Sequence, residues 1–119
     1  MALSENELWQ HIRKLEGETV LTLKRRNPNK ILSVTNDSVE IKDRSTKPSR
    51  EDIFCVYQYV HRVGRVTRED LYGEGSILGH PYARKTGRII MSILARAVPD
   101  EILPIPANER LSGIRLRGR

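Results

Sequence analysis

The sequences VGRVTREDL (residues 63–71) and PYARKTGRIIMSILARAVP (residues 81–99) decide the expected fold. In the first, Gly64 can end a helix, and Thr67 with Asp70 has the spacing of a capping box that opens a new helix after a short strand at Arg65 and Val66. In the second, small and apolar residues recur at helical spacing, which predicts one helix over residues 83–97. Its packing stripe consists of Ala83, Gly87, Ile90, Leu94 and Ala97.

The opposite side of this predicted helix is basic. It carries Arg84, Lys85, Arg88, Ser92 and Arg96. No acidic residue lies between Glu74 and Asp100, so these cations have no neighbour in sequence to neutralise them. A helix with one buried stripe and one basic face suits the major groove of DNA. The pattern therefore predicts a DNA-contacting helix.

Composition limits the classes of function. The 119 residues carry a net charge of +6, which favours a polyanionic partner and also fits simple solubility. The longest apolar run is only a few residues, and the N-terminus lacks the apolar segment of a secretion signal. Cys55 is the sole cysteine, so no disulfide can form within the chain. We expect a cytoplasmic protein with no membrane partner.

The first part of the chain predicts a helix and a small sheet. Ser4 and Glu7 form a candidate capping box, and Trp9 is expected to be a core aromatic residue in preference to a platform for stacking a base. Residues 18–42 alternate at the period of strands and predict a three-stranded antiparallel meander. A turn at Asn36 and Asp37 would place Val34 opposite Val39, and Leu32 opposite Ile41.

A basic loop, KRRNPNK, joins the first two predicted strands. Its cations are Lys24, Arg25, Arg26 and Lys30. The loop could grip phosphates, or it could be a hairpin tip kept soluble by charge, and the sequence leaves both interpretations open.

From Ser49 onward the predicted order is helix, short strand at Arg65, helix from Thr67, loop, basic helix and a candidate strand EILPI. This order resembles a winged helix-turn-helix domain over residues 49–106, with VGRVTREDL in the place where a Gly, a hydroxyl cap and a Leu fix the second helix. The resemblance implies that residues 83–97 form the recognition helix and that Arg84, Lys85, Arg88 and Ser92 contact DNA. We expect the prolines of EILPIPANERLSGIRLRGR to interrupt a two-stranded wing.

Catalytic and cofactor signals are weak. Glu40-Ile41-Lys42 resembles the ending of the PD-(D/E)xK nuclease motif, but the required upstream acid has no clear counterpart, and a solvent-facing strand explains the same residues. His11, His61 and His80 show no metal-ligand spacing with Cys55. The glycine-rich GEGSILG lacks the Lys-Ser/Thr ending of a nucleotide-binding loop. We expect no catalytic residue, metal or cofactor.

The C-terminal sequence GIRLRGR carries Arg115, Arg117 and Arg119. A frayed soluble terminus is favoured over a basic arm that reaches DNA. Alternation of Ile114 and Leu116 with arginines would also suit an edge strand.

Together these patterns predict an α+β protein. An N-terminal helix and three-stranded meander occupy residues 1–47, a winged-helix-like unit residues 48–106 and a basic tail residues 107–119, unless all three form one compact domain. The expected function is non-catalytic binding of double-stranded DNA, with transcription regulation as its setting. Groove contacts would come from Arg84, Lys85, Arg88 and Ser92, and phosphate contacts from Arg65, Arg68, Lys24, Arg25, Arg26 and Lys30. The alternative is a protein-interaction or accessory module of a larger defence or restriction system, and a homodimer or protein partner stays open.

Overall fold

The elements follow one another as an N-terminal helix, a first sheet, two helices around a short strand, a long helix and a final pair of strands. A computed structural model describes residues 2–23, 26–45, 47–71, 78, 83–106 and 113–118, with residues 83–85 described by their backbone. The elements are α1 (Glu5–Arg13), β1 (Thr19–Leu21), β2 (Pro28–Val34), β3 (Val39–Ile41), α2 (Arg50–Val63), β4 (Arg65–Thr67), α3 (Arg68–Leu71), α4 (Ala83–Ala97), β5 (Ile102–Pro104) and β6 (Gly113–Leu116). The predicted α+β class is confirmed.

The first sheet is the predicted meander, in the order β1-β2-β3, with both pairs antiparallel. Val34 pairs with Val39 as predicted, but Ile31, and not Leu32, pairs with Ile41. The register shifts between Ile31 and Ser33, which leaves Leu32 half exposed at 50%. A bulge of one extra residue explains the error, because it returns Ile31 and Val34 to the same buried face although they are three positions apart.

The second sheet has the order β4-β6-β5, so the C-terminal strand β6 lies in its centre. Two sequence expectations are wrong here: residues 113–116 are not frayed, and the prolines do not prevent a strand pair. Ile105 N–H donates to the carbonyl of Gly113 over 2.9 Å, so the alternation of an antiparallel pair turns the nitrogen of Pro104 away from β6. Because β5 is an edge strand, the missing N–H of Pro104 costs no hydrogen bond.

Helix α4 lies between the two sheets and belongs to the core of both. It packs against α1 and β1 of the N-terminal part and against α2, α3, β5 and β6 of the C-terminal part. One continuous cluster of buried apolar residues joins the two parts through this helix. None of the helices in the described part of the chain is both long enough and apolar enough to cross a membrane.

Local signals fix the ends of the helices as predicted. Ser4 and Glu7 form a reciprocal capping box on α1, and the Ser49 hydroxyl accepts from the Asp52 N–H at the start of α2. Gly64 ends α2 in the left-handed region at φ 102°, where glycine is favoured because it has no Cβ. Trp9 is only 2% exposed, which confirms it as a core residue and contradicts the base-stacking interpretation.

A hydrogen-bonded group ties the N-terminus, α2 and the turn before β5 together. The Tyr57 hydroxyl donates to Glu101 Oε1 over 2.6 Å and accepts from the Leu3 N–H over 2.8 Å. His61 Nε2 lies 3.0 Å from the same carboxylate oxygen. Burial and the hydrogen bond to Glu101 raise the pKa of Tyr57 well above its usual range, so the hydroxyl remains a donor at physiological pH.

Removing this hydroxyl should destabilise the protein. We expect Tyr57→Phe to lower the free energy of unfolding by about 1–3 kcal/mol, because it leaves a partly buried carboxylate with one partner fewer. Tyr59→Phe is the matched control, since no described residue forms a hydrogen bond with the Tyr59 hydroxyl and its ring stacks under Arg62. Equilibrium urea unfolding of both variants measures the difference. Equal losses from the two substitutions would contradict the structural role of Tyr57.

Candidate nucleic-acid interface

The predicted exposed basic face of α4 is absent from the part of this helix whose side chains are described. From residue 86 to residue 97 only Arg88, Ala95 and Arg96 are more than marginally exposed. Ile89, Met91 and Ile93, which lie outside the predicted packing stripe, are at most 3% exposed. The helix is covered by the second sheet, α2 and α3, and also by α1 and β1. Its middle therefore cannot enter a groove of DNA.

Ser92 is the clearest correction among the predicted contacts. It is 3% exposed, and its hydroxyl donates to the Arg88 carbonyl over 3.0 Å, one turn earlier in the same helix. A buried hydroxyl that donates to a carbonyl of its own helix already has a hydrogen-bond partner and needs no ligand. Ser92 is thus part of the core, and we no longer count it among the candidate contacts.

The cations of α4 have different surroundings. Arg96 is exposed, and its guanidinium donates to Glu18 Oε1 over 2.9 Å, so an acid distant in sequence neutralises it. Arg88 is half-buried beside the covered middle of the helix. Arg84 and Lys85 lie in the first turn of α4 and are described by their backbone only. These two residues and Arg88 remain candidate contacts at the N-terminal end of the helix.

The predicted phosphate contacts in the first sheet lie around the β1–β2 connection. Lys24 and Arg25 lie outside the described residues. Arg26 is exposed in the connection with φ 57°, and its N–H donates to the Thr22 carbonyl over 3.1 Å. Lys30 is exposed on β2. Both described cations are exposed, which is compatible with either interpretation of this loop.

The second sheet places two arginines side by side on its outward face, the one turned away from the core cluster, with Arg65 exposed and Arg115 half-buried. Thr67, Gly113 and Ile105, at the other end of this face, are buried. Val66 and Ile114 point into the core and are fully buried, so strand alternation directs Arg65 and Arg115 to the other face. Arg65 and Arg115 are directly opposite each other on β4 and β6. Leu116 N–H donates to the Gly64 carbonyl, which makes Arg65 and Arg115 a non-hydrogen-bonded pair, the type whose side chains approach most closely.

Neither arginine of this pair is neutralised within the described part of the chain. No carboxylate there forms an ion pair with Arg65 or Arg115. The Nε atom of Arg115 is buried and has no hydrogen-bond partner. From the sequence, Arg65 is a predicted phosphate contact and Arg115 belongs to the predicted basic tail. The alternation of apolar residues around Arg115 indicated a strand, but nothing in the sequence identified β4 as the strand with which it pairs. Arg68, one position after β4, is partly buried and has a partner of its own.

The groups considered for catalysis have structural partners. Lys47 Nζ donates to Glu40 Oε1 over 3.3 Å, so the carboxylate of the nuclease-like tripeptide pairs with a cation outside that tripeptide. Burial raises the pKa of the half-buried Cys55 thiol, which disfavours the reactive thiolate. Within the described ranges, no three His, Cys, Asp or Glu side chains are grouped closely enough to hold a metal ion.

Comparison with known proteins found no matching family model, no similar curated protein and no similar solved structure. Function is therefore inferred from the side chains, strands and charges of this chain itself.

Proposed function

We propose that the chain is a non-catalytic protein that binds double-stranded DNA mainly through its phosphates. The observation that carries the proposal is the pair Arg65 and Arg115 on the second sheet, which has no ion-pair partner among the described residues, in a chain of net charge +6. Phosphate contacts supply most of the affinity of sequence-independent DNA binding, and arginine is well suited to them because its guanidinium fork matches phosphate oxygens.

The arrangement around this sheet also supports the resemblance to a winged helix-turn-helix domain. A helix, a strand and a short helix precede α4, and β5 and β6 pair as the two strands that a wing needs. The burial of the middle of α4 changes the expected mode of contact, since base edges could be reached only from residues near its N-terminal end. We therefore propose binding with little dependence on sequence, and a role in transcription regulation would require contacts from Arg84, Lys85 or Arg88.

Salt dependence tests the proposal. Binding of a labelled random-sequence duplex, followed by fluorescence anisotropy, should weaken steeply between about 50 and 200 mM salt. If about six phosphates are contacted, log affinity should fall against log salt with a slope near −5. A slope near zero, or no binding at micromolar protein, would refute the proposal.

A protein-interaction module is the second candidate, and one observation favours it. Leu21 and Leu32 are 39% and 50% exposed on the outward face of the first sheet, where strand alternation places them with Pro28. Exposed leucines on a sheet are suited to a protein surface and contribute little to phosphate binding. If the duplex does not bind in the anisotropy experiment, this face becomes the leading functional surface, as expected for an accessory module of a defence or restriction system.

A further inference from the structure

We infer that the outward face of the β4-β6-β5 sheet, centred on Arg65 and Arg115, is the surface that holds the DNA backbone. This inference rests on the proposed function and locates its contact surface away from the predicted recognition helix. The partner to which it commits is the phosphodiester backbone of duplex DNA.

The pairing of Arg65 with Arg115 is unfavourable in the free protein. Like charges directly opposite on adjacent strands destabilise a sheet, and Arg65 and Arg115 occupy the closest type of pair, with Cα atoms about 4.5 Å apart. No described carboxylate offsets the repulsion. A bound anion would offset it, because two guanidinium groups at this spacing can both donate to one strand of phosphates.

Arg115 also carries a donor without a partner. Arg115 Nε is shielded from solvent and donates to nothing in the described part of the chain. A buried donor without an acceptor is unfavourable, and it is uncommon in folded proteins. Its neighbours on this face are Arg65 on one side and Leu103 of β5 on the other, neither of which offers a side-chain acceptor.

The separation of the two side chains is compatible with the spacing of DNA phosphates. Successive phosphates of one strand advance by about 3.4 Å along the DNA axis, and opposed side chains of a sheet start about 5 Å apart at Cβ. Two long arginine side chains at that separation can reach neighbouring phosphates of one strand. Both side chains start from hydrogen-bonded strands, so the sheet fixes the positions of their Cα and Cβ atoms.

The test compares Arg65→Gln, Arg115→Gln and the double variant with Arg96→Gln. The control removes the same charge from an exposed arginine that is already paired with Glu18. In the duplex titration we expect each of the first two variants to lose about three- to tenfold in affinity and to lower the steepness of the salt slope by about 0.9. Arg96→Gln should stay within about twofold of the wild type.

Stability provides an independent measurement. Because each substitution relieves repulsion between like charges, Arg65→Gln and Arg115→Gln should melt at or above the temperature of the wild type. If they melt clearly below it, the arginines support the fold and the inference is overturned.

The experiment distinguishes failure of the proposed contact surface from failure of the proposed DNA binding. A wild-type chain that binds duplex with a steep salt slope, while Arg65→Gln and Arg115→Gln bind equally well, would overturn this surface and leave DNA binding standing. A wild-type chain that does not bind duplex at all would refute both. The chain could also bind vesicles of anionic lipid as tightly as it binds duplex, with the same loss of affinity in Arg65→Gln. That result would overturn the inference that the partner is DNA.

Discussion

Leu94→Ala is expected to lower the free energy of unfolding by about 2–5 kcal/mol, the cost of a cavity in a closely packed core. Leu94 is completely buried, and it lies on the helix that packs against both sheets. Because α4 packs against both sheets within one buried cluster, a cavity in this helix should weaken the core that the two parts share. Equilibrium urea unfolding followed by circular dichroism measures the loss.

The matched control for Leu94→Ala is Arg96→Ala, two positions along the same helix. Arg96 is exposed and its ion pair with Glu18 is accessible to solvent. Removing it should therefore lower the free energy of unfolding by no more than about 1 kcal/mol. If Leu94→Ala costs as little as Arg96→Ala, α4 is not the packed centre of the molecule, and the correction to the recognition-helix prediction fails with it.

Gly113→Ala is expected to cost about 3 kcal/mol, at the upper end for overpacking. A Cβ at this position would lie 2.3 Å from the Val66 carbonyl oxygen and 2.9 Å from the Thr67 Cα. Both obstacles are backbone atoms of β4, so no side-chain rotation can relieve them, and β4 must move away from β6. The same movement would separate Arg65 from Arg115, and we expect affinity for duplex to fall as well.

Gly118→Ala serves as the comparison for Gly113→Ala. A Cβ at Gly118 would meet nothing within 4 Å, but its φ of 84° would impose about 1–2 kcal/mol of backbone strain. Thermal and urea unfolding should therefore rank Gly113→Ala as the more damaging change. The reverse ranking would show that β4 and β6 are not packed as closely as described.

Most of the secondary structure could be predicted from the sequence because local signals determine it. The stripe from Ala83 to Ala97 gave the bounds of α4, Gly64 ended α2, and the Thr35 to Ser38 turn set the β2–β3 hairpin. These features depend on helical spacing, left-handed backbone and turn residues that lie within a few positions of one another. The register of β2 could not be predicted, because one extra residue at a bulge reverses the alternation of buried and exposed positions and no local sequence signal indicates it.

The environment of α4 depended on distant parts of the chain. Its basic residues suggested an open face, yet the run Ile89-Ile90-Met91 and the pair Ile93-Leu94 make the middle of the helix apolar nearly all round. A helix that is apolar all round is a buried helix, and this signal was present in the sequence. The pairing of Arg65 with Arg115 left no such mark, because it joins strands about fifty positions apart through a sheet that local patterns did not predict.

We propose that DNA contacts the outward face of the second sheet and not the middle of α4. A titration of the isotopically labelled chain with duplex DNA, followed by amide chemical shifts, tests it most directly. We predict that the largest shifts fall on β4 and β6, around Arg65 and Arg115, while the amides of residues 89–97 stay unchanged. Shifts concentrated on residues 89–97, with β4 and β6 unaffected, would contradict the account.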